Sequence, residues 1–154
     1  PPPHFFFFPP PPAPPASVAS RGLGDVYKRQ EIHQEMVERL PVPLILHICG
    51  YTVDRLEHIN RSGMASFHFD SKNDPFEAMQ VADGKIGLVG NINNPETLFA
   101  RGPEEVRQEV YSNLDAGVQL VGPECAIPLQ TAIENLVEIP KAVQDWHSER
   151  AAQN

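Results

Sequence analysis

Three observations predict an α/β fold with parallel strands for residues 31–154. Short, continuous apolar runs are bounded by Gly or Pro. Each is followed by a segment whose apolar residues recur at three- and four-residue spacing. The pair repeats four times at roughly 20–35 residues, the rhythm of strands joined by helical crossovers. Four such units make half of a (β/α)8 barrel, which needs about 250 residues. A doubly wound sheet of four strands is the other solution, but no GxGxxG or P-loop pattern follows the first strand, which weakens its nucleotide-binding versions.

Taken in order, Glu31–Leu40 is the end of a helix with Ile32, Met36 and Val37 on one face, stopped by Pro41 and Pro43. Leu44–Cys49 has the pattern of a strand buried on both faces and ends at Gly50. Thr52 is placed to cap a helix over 53–62 that Gly63 closes. Ala65–Asp70 is the second strand and Pro75–Ala82 a helix with Phe76 and Met79 inward; Asp83-Gly84 turns the chain into the third strand, 86–91. A loop with Asn93, Asn94 and Pro95 follows. Pro103 opens a helix in which Val106, Val110 and Leu114 align, and Gly117 ends it. Val118–Val121 is the fourth strand. Thr131 to about His147 is the last helix, with Leu136, Ile139, Val143 and Trp146 as its stripe and Pro140 as an irregularity.

Residues 1–30 stand apart. They hold Phe5–Phe8 and nine of the 17 prolines of the 154-residue chain, a low-complexity stretch with no means of building a core. A signal peptide is excluded, because the start lacks Lys and Arg and its apolar run is four Phe. Ser20–Gln30 resembles, residue for residue, one reading frame of the adaptor ligated by transposase in shotgun sequencing libraries. On that reading 1–30 is non-native and disordered, and the native segment starts at Glu31 within a gene. Removing these residues leaves 9 Lys and Arg against 19 Asp and Glu, a net charge of −10 where the whole chain has −8. That balance argues against nucleic acid or an anionic membrane as partner. Two cysteines give no disulfide framework and fit a reducing, cytoplasmic compartment.

In either architecture ligands collect where strands end, which singles out His47, Cys49, Asp70, Asn91, Glu124 and Cys125. His47 and Cys49 are two apart, so in a strand they project to one face and can chelate one ion. Cys125 lies 76 residues on, just past the fourth strand. If the sheet closes, one His and two thiolates converge, a zinc set with a position left for substrate. The alternative is two buried thiols and a core histidine. Asp70 is placed either as a fourth ligand, as an acceptor for His47, or as a cap for the next turn. Asn91 and Glu124 are candidates for cofactor contact; Asn91 equally suits a backbone bond at its strand end, and Glu124 an orienting or surface role. His68, internal to a strand, and His58, on a polar helix face, are left out.

Leu44–Gly50, Phe67–Asp70, the Gly90-Asn91-Ile92 turn with Pro95, and Gly122-Pro123-Glu124-Cys125-Ala126-Ile127-Pro128 leading to Thr131 and Glu134–Leu136 resemble the C-terminal half of the uroporphyrinogen decarboxylase superfamily. The His-x-Cys pair followed by a late Cys is similar to its methylcobamide:coenzyme M methyltransferase branch, and the likeness covers 43–147. It implies the C-terminal half of a (β/α)8 barrel with zinc at His47, Cys49 and Cys125. Cobalamin-independent methionine synthase is similar more distantly and implies an acidic fourth ligand near Asp70. The resemblance further implies methyl transfer from a methylated corrinoid (methylcobamide) protein to a thiol such as coenzyme M, or to tetrahydrofolate. Two other readings are a decarboxylase-like enzyme without metal and a non-catalytic corrinoid- or zinc-binding module. Half a barrel leaves two open sheet edges, so the isolated chain is expected to be inactive and to associate.

Overall fold

The computed structural model describes residues 23–153. Helix α1 spans Leu23–Arg39, strand β1 Ile45–Ile48, a 3-10 turn Val53–Arg55 leading into helix α2 at Leu56–Ile59, and strand β2 Ser66–Phe69. Helix α3 is Pro75–Ala82, strand β3 Gly87–Ile92, a π-helical turn Asn94–Phe99, helix α4 Pro103–Ala116, strand β4 Leu120–Pro123 and helix α5 Ile133–Ala151. All four strands are parallel and lie in chain order β1-β2-β3-β4. This is the half-barrel arrangement predicted from the repeat. Among the described residues no helix is long and apolar enough to cross a membrane.

Alternation along the strands separates two faces. Phe67, Phe69 and Leu88 are each at most 1% exposed and pack under the helices with Leu56, Ile59 and Ala82. A second cluster, Ile92, Leu98, Val106, Val110, Ile139 and Ala142, joins the end of β3 to α4 and α5. On the opposite face Ile45 and Leu120, from the two outermost strands, are more than half exposed, at 57% and 58%. β1 and β4 each pair on one side only among the described residues, which leaves two rows of main-chain donors and acceptors open beside apolar side chains. The purified 154-residue chain is therefore expected to run as oligomers in size-exclusion chromatography with light scattering; a monodisperse monomer at micromolar concentration would contradict this.

Helix ends follow the local chemistry. Asp74 caps α3 by accepting from the Glu77 N–H (2.9 Å), with Pro75 at its first position. Gly117, at φ +94°, ends α4. Val118 then donates to Asn113 O, so it belongs to the helix terminus and β4 begins two residues later than its apolar run suggests.

Other boundaries also differ from the sequence reading. Thr52 makes no side-chain cap; its N–H and hydroxyl both turn to Asn73 Oδ1, and the helix after it is only Leu56–Ile59 behind the 3-10 turn. The expected loop at 93–95 tightens into a π-helical turn because the Asn93 side chain accepts from Glu96 N (2.7 Å). α5 runs on to Ala151 with Pro140 inside it. α1 reaches back to Leu23, so residues 23–30, expected to be disordered, are helical; Gln30 Nε2 donates to His58 O at 2.8 Å. The expectation for residues 1–22 lies outside the described residues.

Candidate metal centre

Cys49 directly follows β1 and Asp70 directly follows β2, whose strands run in parallel register with His47 beside His68. The pleat therefore puts both histidines, Cys49 and Asp70 on the face away from the helices. Cys125 follows β4. The structure brings the donor atoms of His47, Cys49 and Cys125 within 4.8 Å of one another. His47 Nε2 lies 3.1 Å from Cys49 Sγ, and Cys49 Sγ lies 3.4 Å from Cys125 Sγ. All three side chains are exposed, and both cysteines are free thiols.

The protonation of His47 follows from its neighbour. Nδ1 is 3.1 Å from the main-chain oxygen of His68. A carbonyl only accepts, so Nδ1 carries the proton and the Nε2 lone pair faces the sulfurs, the tautomer a metal ligand needs. His68 is itself held, its Nε2 donating to Pro123 O at 2.8 Å. The sequence reading leaves His68 out, yet its ring lies 4.6 Å from that of His47, tilted by 42°, and ties β2 to the end of β4. Strand parity was the available signal, since His68 and Asp70 share a face. Gly90 makes room for this bridge: it adopts φ +130°, and a Cβ there would lie 2.7 Å from Phe69 O and 3.5 Å from the His68 ring.

Charge around the sulfurs is negative. The hydrogen bond with Cys125 pushes the Cys49 thiol up, and burial and the charges of Cys125, Asp70 and Glu124 push the same way. A cation set among these donors reverses that sign and makes them thiolates. One imidazole nitrogen and two sulfurs converging in this way fit zinc in number and type.

Asp70 does not join the cluster. Its Oδ2 accepts from Gly50 N (2.7 Å) and its Oδ1 from Lys72 N (2.9 Å). Burial alone would raise its carboxyl, but these two N–H groups and the Lys72 charge overcome it and hold it below the ordinary range. Glu124 is buried, not on the surface; its Oε2 accepts from Ser71 N (2.8 Å) and its Oε1 from Asn94 N (3.0 Å). Asn91 is buried, and its amide donates to Asn73 O (2.9 Å) and Asp70 O (3.3 Å), the backbone bonds its strand-end position suits.

Two residues went unread. Asn73, 1% exposed, accepts from Thr52 N (2.7 Å) and Val53 N (3.1 Å) and donates to Gly50 O (2.9 Å) and Asp70 O (2.8 Å), fastening the loop after Cys49 to the loop after β2. Glu109 of α4 accepts from Asn93 N (2.9 Å) and the Thr97 hydroxyl (2.6 Å). Burial raises its carboxyl, with Glu124 and Glu96 adding to the effect. Asn73 carries no sequence signal beyond lying just past β2, and Glu109, in the middle of α4, carries none.

The sequence profile of the uroporphyrinogen decarboxylase (URO-D) family matches residues 26–146. The chain belongs to this family. It is 28% identical over 112 residues to methylcobamide:CoM methyltransferase MtbA of Methanosarcina acetivorans, a match covering 73% of this chain and 33% of that protein. The methylated-thiol–coenzyme M methyltransferase of Methanosarcina mazei is 26% identical over 113 residues, covering 73% and 30%. Methylcobamide:CoM methyltransferase MtaA of Methanosarcina barkeri is 28% identical over 105 residues, covering 68% and 31%. A solved methyltransferase from Methanosarcina mazei superposes with a TM-score of 0.76 at 22% identity, over 82% of this chain and 38% of that one. This URO-D chain thus spans about a third of the length of its curated relatives, and its fold matches the corresponding part of the solved one.

Proposed function

We propose that this URO-D segment carries the zinc-binding part of a corrinoid-dependent methyltransferase, which moves a methyl group from a methylated corrinoid protein to a thiol such as coenzyme M, with tetrahydrofolate as the other acceptor to test. The observation that supports it most is the convergence of His47 Nε2, Cys49 Sγ and Cys125 Sγ within 4.8 Å, with His47 Nδ1 already turned to a carbonyl. Zinc bound there would hold an incoming thiol as thiolate at neutral pH.

The chain's own residues supply the rest. With zinc bound, three protein donors would leave a position for substrate, the form of a catalytic rather than a closed site. Two sulfurs among the three would keep a bound zinc electron-rich, which would preserve nucleophilicity in a substrate thiolate and suit alkyl transfer better than hydrolysis. Each Asp70 oxygen accepts one N–H and keeps a second lone pair, so Asp70 is also proposed as a fourth ligand. Exposure of all three donors suits a site that a second, corrinoid-carrying protein must reach. The free thiols fit a reducing compartment such as the cytoplasm.

The deciding experiment uses a full-length protein containing this segment: zinc analysis, then transfer from methylcobamide followed by corrinoid absorbance, with coenzyme M and tetrahydrofolate offered separately. Turnover unchanged after complete zinc removal would overturn the reading. A pH prediction goes with it. Because the Cys49 thiol is raised, protons compete with the metal at neutral pH, so zinc affinity should climb as pH rises from about 6 to 8 and uptake should release protons. Calorimetry in buffers of different ionisation enthalpy measures that release; zinc affinity independent of pH would contradict it.

A further inference from the structure

The two cysteines lie 76 residues apart, and the loops that carry them are exposed at their tips. Something must hold their sulfurs 3.4 Å apart. Among the described residues the hydrogen bonds of the two sulfurs are to His47 and to each other. Their main-chain neighbours, however, form a continuous series. Gly50, next to Cys49, donates its N–H to Asp70 Oδ2 at 2.7 Å. Ser71, next to Asp70, donates its N–H to Glu124 Oε2 at 2.8 Å. Glu124 is next to Cys125. Each step joins the carboxylate at one strand end to the N–H just beyond another, so the series runs Cys49-Gly50, Asp70-Ser71, Glu124-Cys125.

Both carboxylates are nine-tenths buried. The second oxygen of each is also taken, by Lys72 N at 2.9 Å for Asp70 and by Asn94 N at 3.0 Å for Glu124. Charge-assisted bonds from two N–H groups to one carboxylate are short, directional and stronger than neutral ones, and a buried N–H deprived of its acceptor is costly. The series is thus stiff, and it links the two cysteines alongside the Asn73 clasp between the first two loops and the His68–Pro123 bond from β2 to the end of β4.

We infer that Glu124 is a positioning residue for the metal centre: through Ser71 and Asp70 it sets the distance between Cys49 and Cys125. This deepens the proposed zinc-dependent methyl transfer and rests on that reading for its metal arm. Glu124 touches no donor atom of the cluster. Its effect passes through the backbone, by fixing where β4 hands over to Cys125 relative to the loop after β2.

The test compares, in a full-length protein containing this segment, the wild type with Glu124→Gln and with Glu138→Gln, which neutralises an equally buried carboxylate paired with Arg107 between α4 and α5. Two quantities are read: zinc affinity, by competition with a chromophoric chelator, and, on metal-free protein, the equilibrium of Cys49–Cys125 disulfide formation against glutathione. Thermal melting is recorded for all. Glu124→Gln is expected to bind zinc roughly 10- to 100-fold more weakly and to lower the disulfide equilibrium on the order of tenfold, because that bond is sensitive to sulfur placement. Glu138→Gln should lower the melting temperature without moving either quantity.

Unchanged zinc affinity and disulfide equilibrium in Glu124→Gln would overturn the inference. So would an equal loss in Glu138→Gln, which would make the effect one of general stability. If wild type takes up no zinc while Glu124→Gln still lowers the disulfide equilibrium, the positioning role stands and the zinc reading falls. Should Glu124→Gln fail to fold, the same comparison is made with Glu124→Asp, which keeps the charge but is one methylene too short to meet both N–H groups.

Discussion

Cys125→Ala is expected to reduce bound zinc from about one equivalent per chain to the background of a metal-free protein, measured by elemental analysis after dialysis, and to abolish methyl transfer in a full-length protein containing this segment. Cys125 is the sole donor of the cluster from the β4 side. Without it the remaining pair, His47 and Cys49, lies two residues apart on one strand and covers only one side of the ion. A two-donor site of that kind does not complete the tetrahedral set that gives zinc its affinity. Cys49→Ala should have the same outcome for a complementary reason: Cys49 Sγ is the central atom, 3.1 Å from His47 Nε2 and 3.4 Å from Cys125 Sγ. Full zinc content in either variant would sink the site assignment.

Asn73→Ala should cost about 3 kcal/mol or more of stability in chemical denaturation. The N–H groups of Thr52 and Val53 would lose their acceptor in a buried place, each at about 1–3 kcal/mol. The carbonyls of Gly50 and Asp70 would lose a donor as well. Asn73→Asp separates the two halves of the effect, since a carboxylate still accepts from Thr52 and Val53 but donates to neither carbonyl and adds charge beside Asp70. It should be intermediate in stability. A loss under about 1 kcal/mol for the alanine variant, the worth of one ordinary hydrogen bond, would show that water replaces the side chain without penalty and that the loop after Cys49 is held by something else.

Much of the candidate centre was legible before the structure. His47 and Cys49 were paired by strand parity alone, and Cys125 was added because a closed sheet brings strand ends together. Asp70, Asn91 and Glu124 were singled out by place but not by role. Their partners, Gly50, Asn73 and Asn94, lie 20, 18 and 30 residues away, and nothing in a local pattern says which amide a carboxylate will meet. His68 was missed for the same reason: its bond to Pro123 spans 55 residues. The helices divide similarly. α3 and α4 announce their starts through Pro75 and Pro103, whereas the hydroxyl of Thr52 looked like a cap and was claimed by Asn73.

Residues 31–154 by themselves determined four parallel strand–helix units and the soft donors at two strand ends, whereas β1, read as buried on both faces, leaves Ile45 and His47 exposed. Those properties depend on periods of two and 3.6 residues, which are short-range and written directly in the chain. Only the tertiary structure decided that the two sulfurs stand 3.4 Å apart, that His47 offers Nε2, and that Asp70 and Glu124 hold backbone amides. These depend on the register between strands and on hydrogen bonds closed across tens of residues, which are settled only when the sheet is assembled.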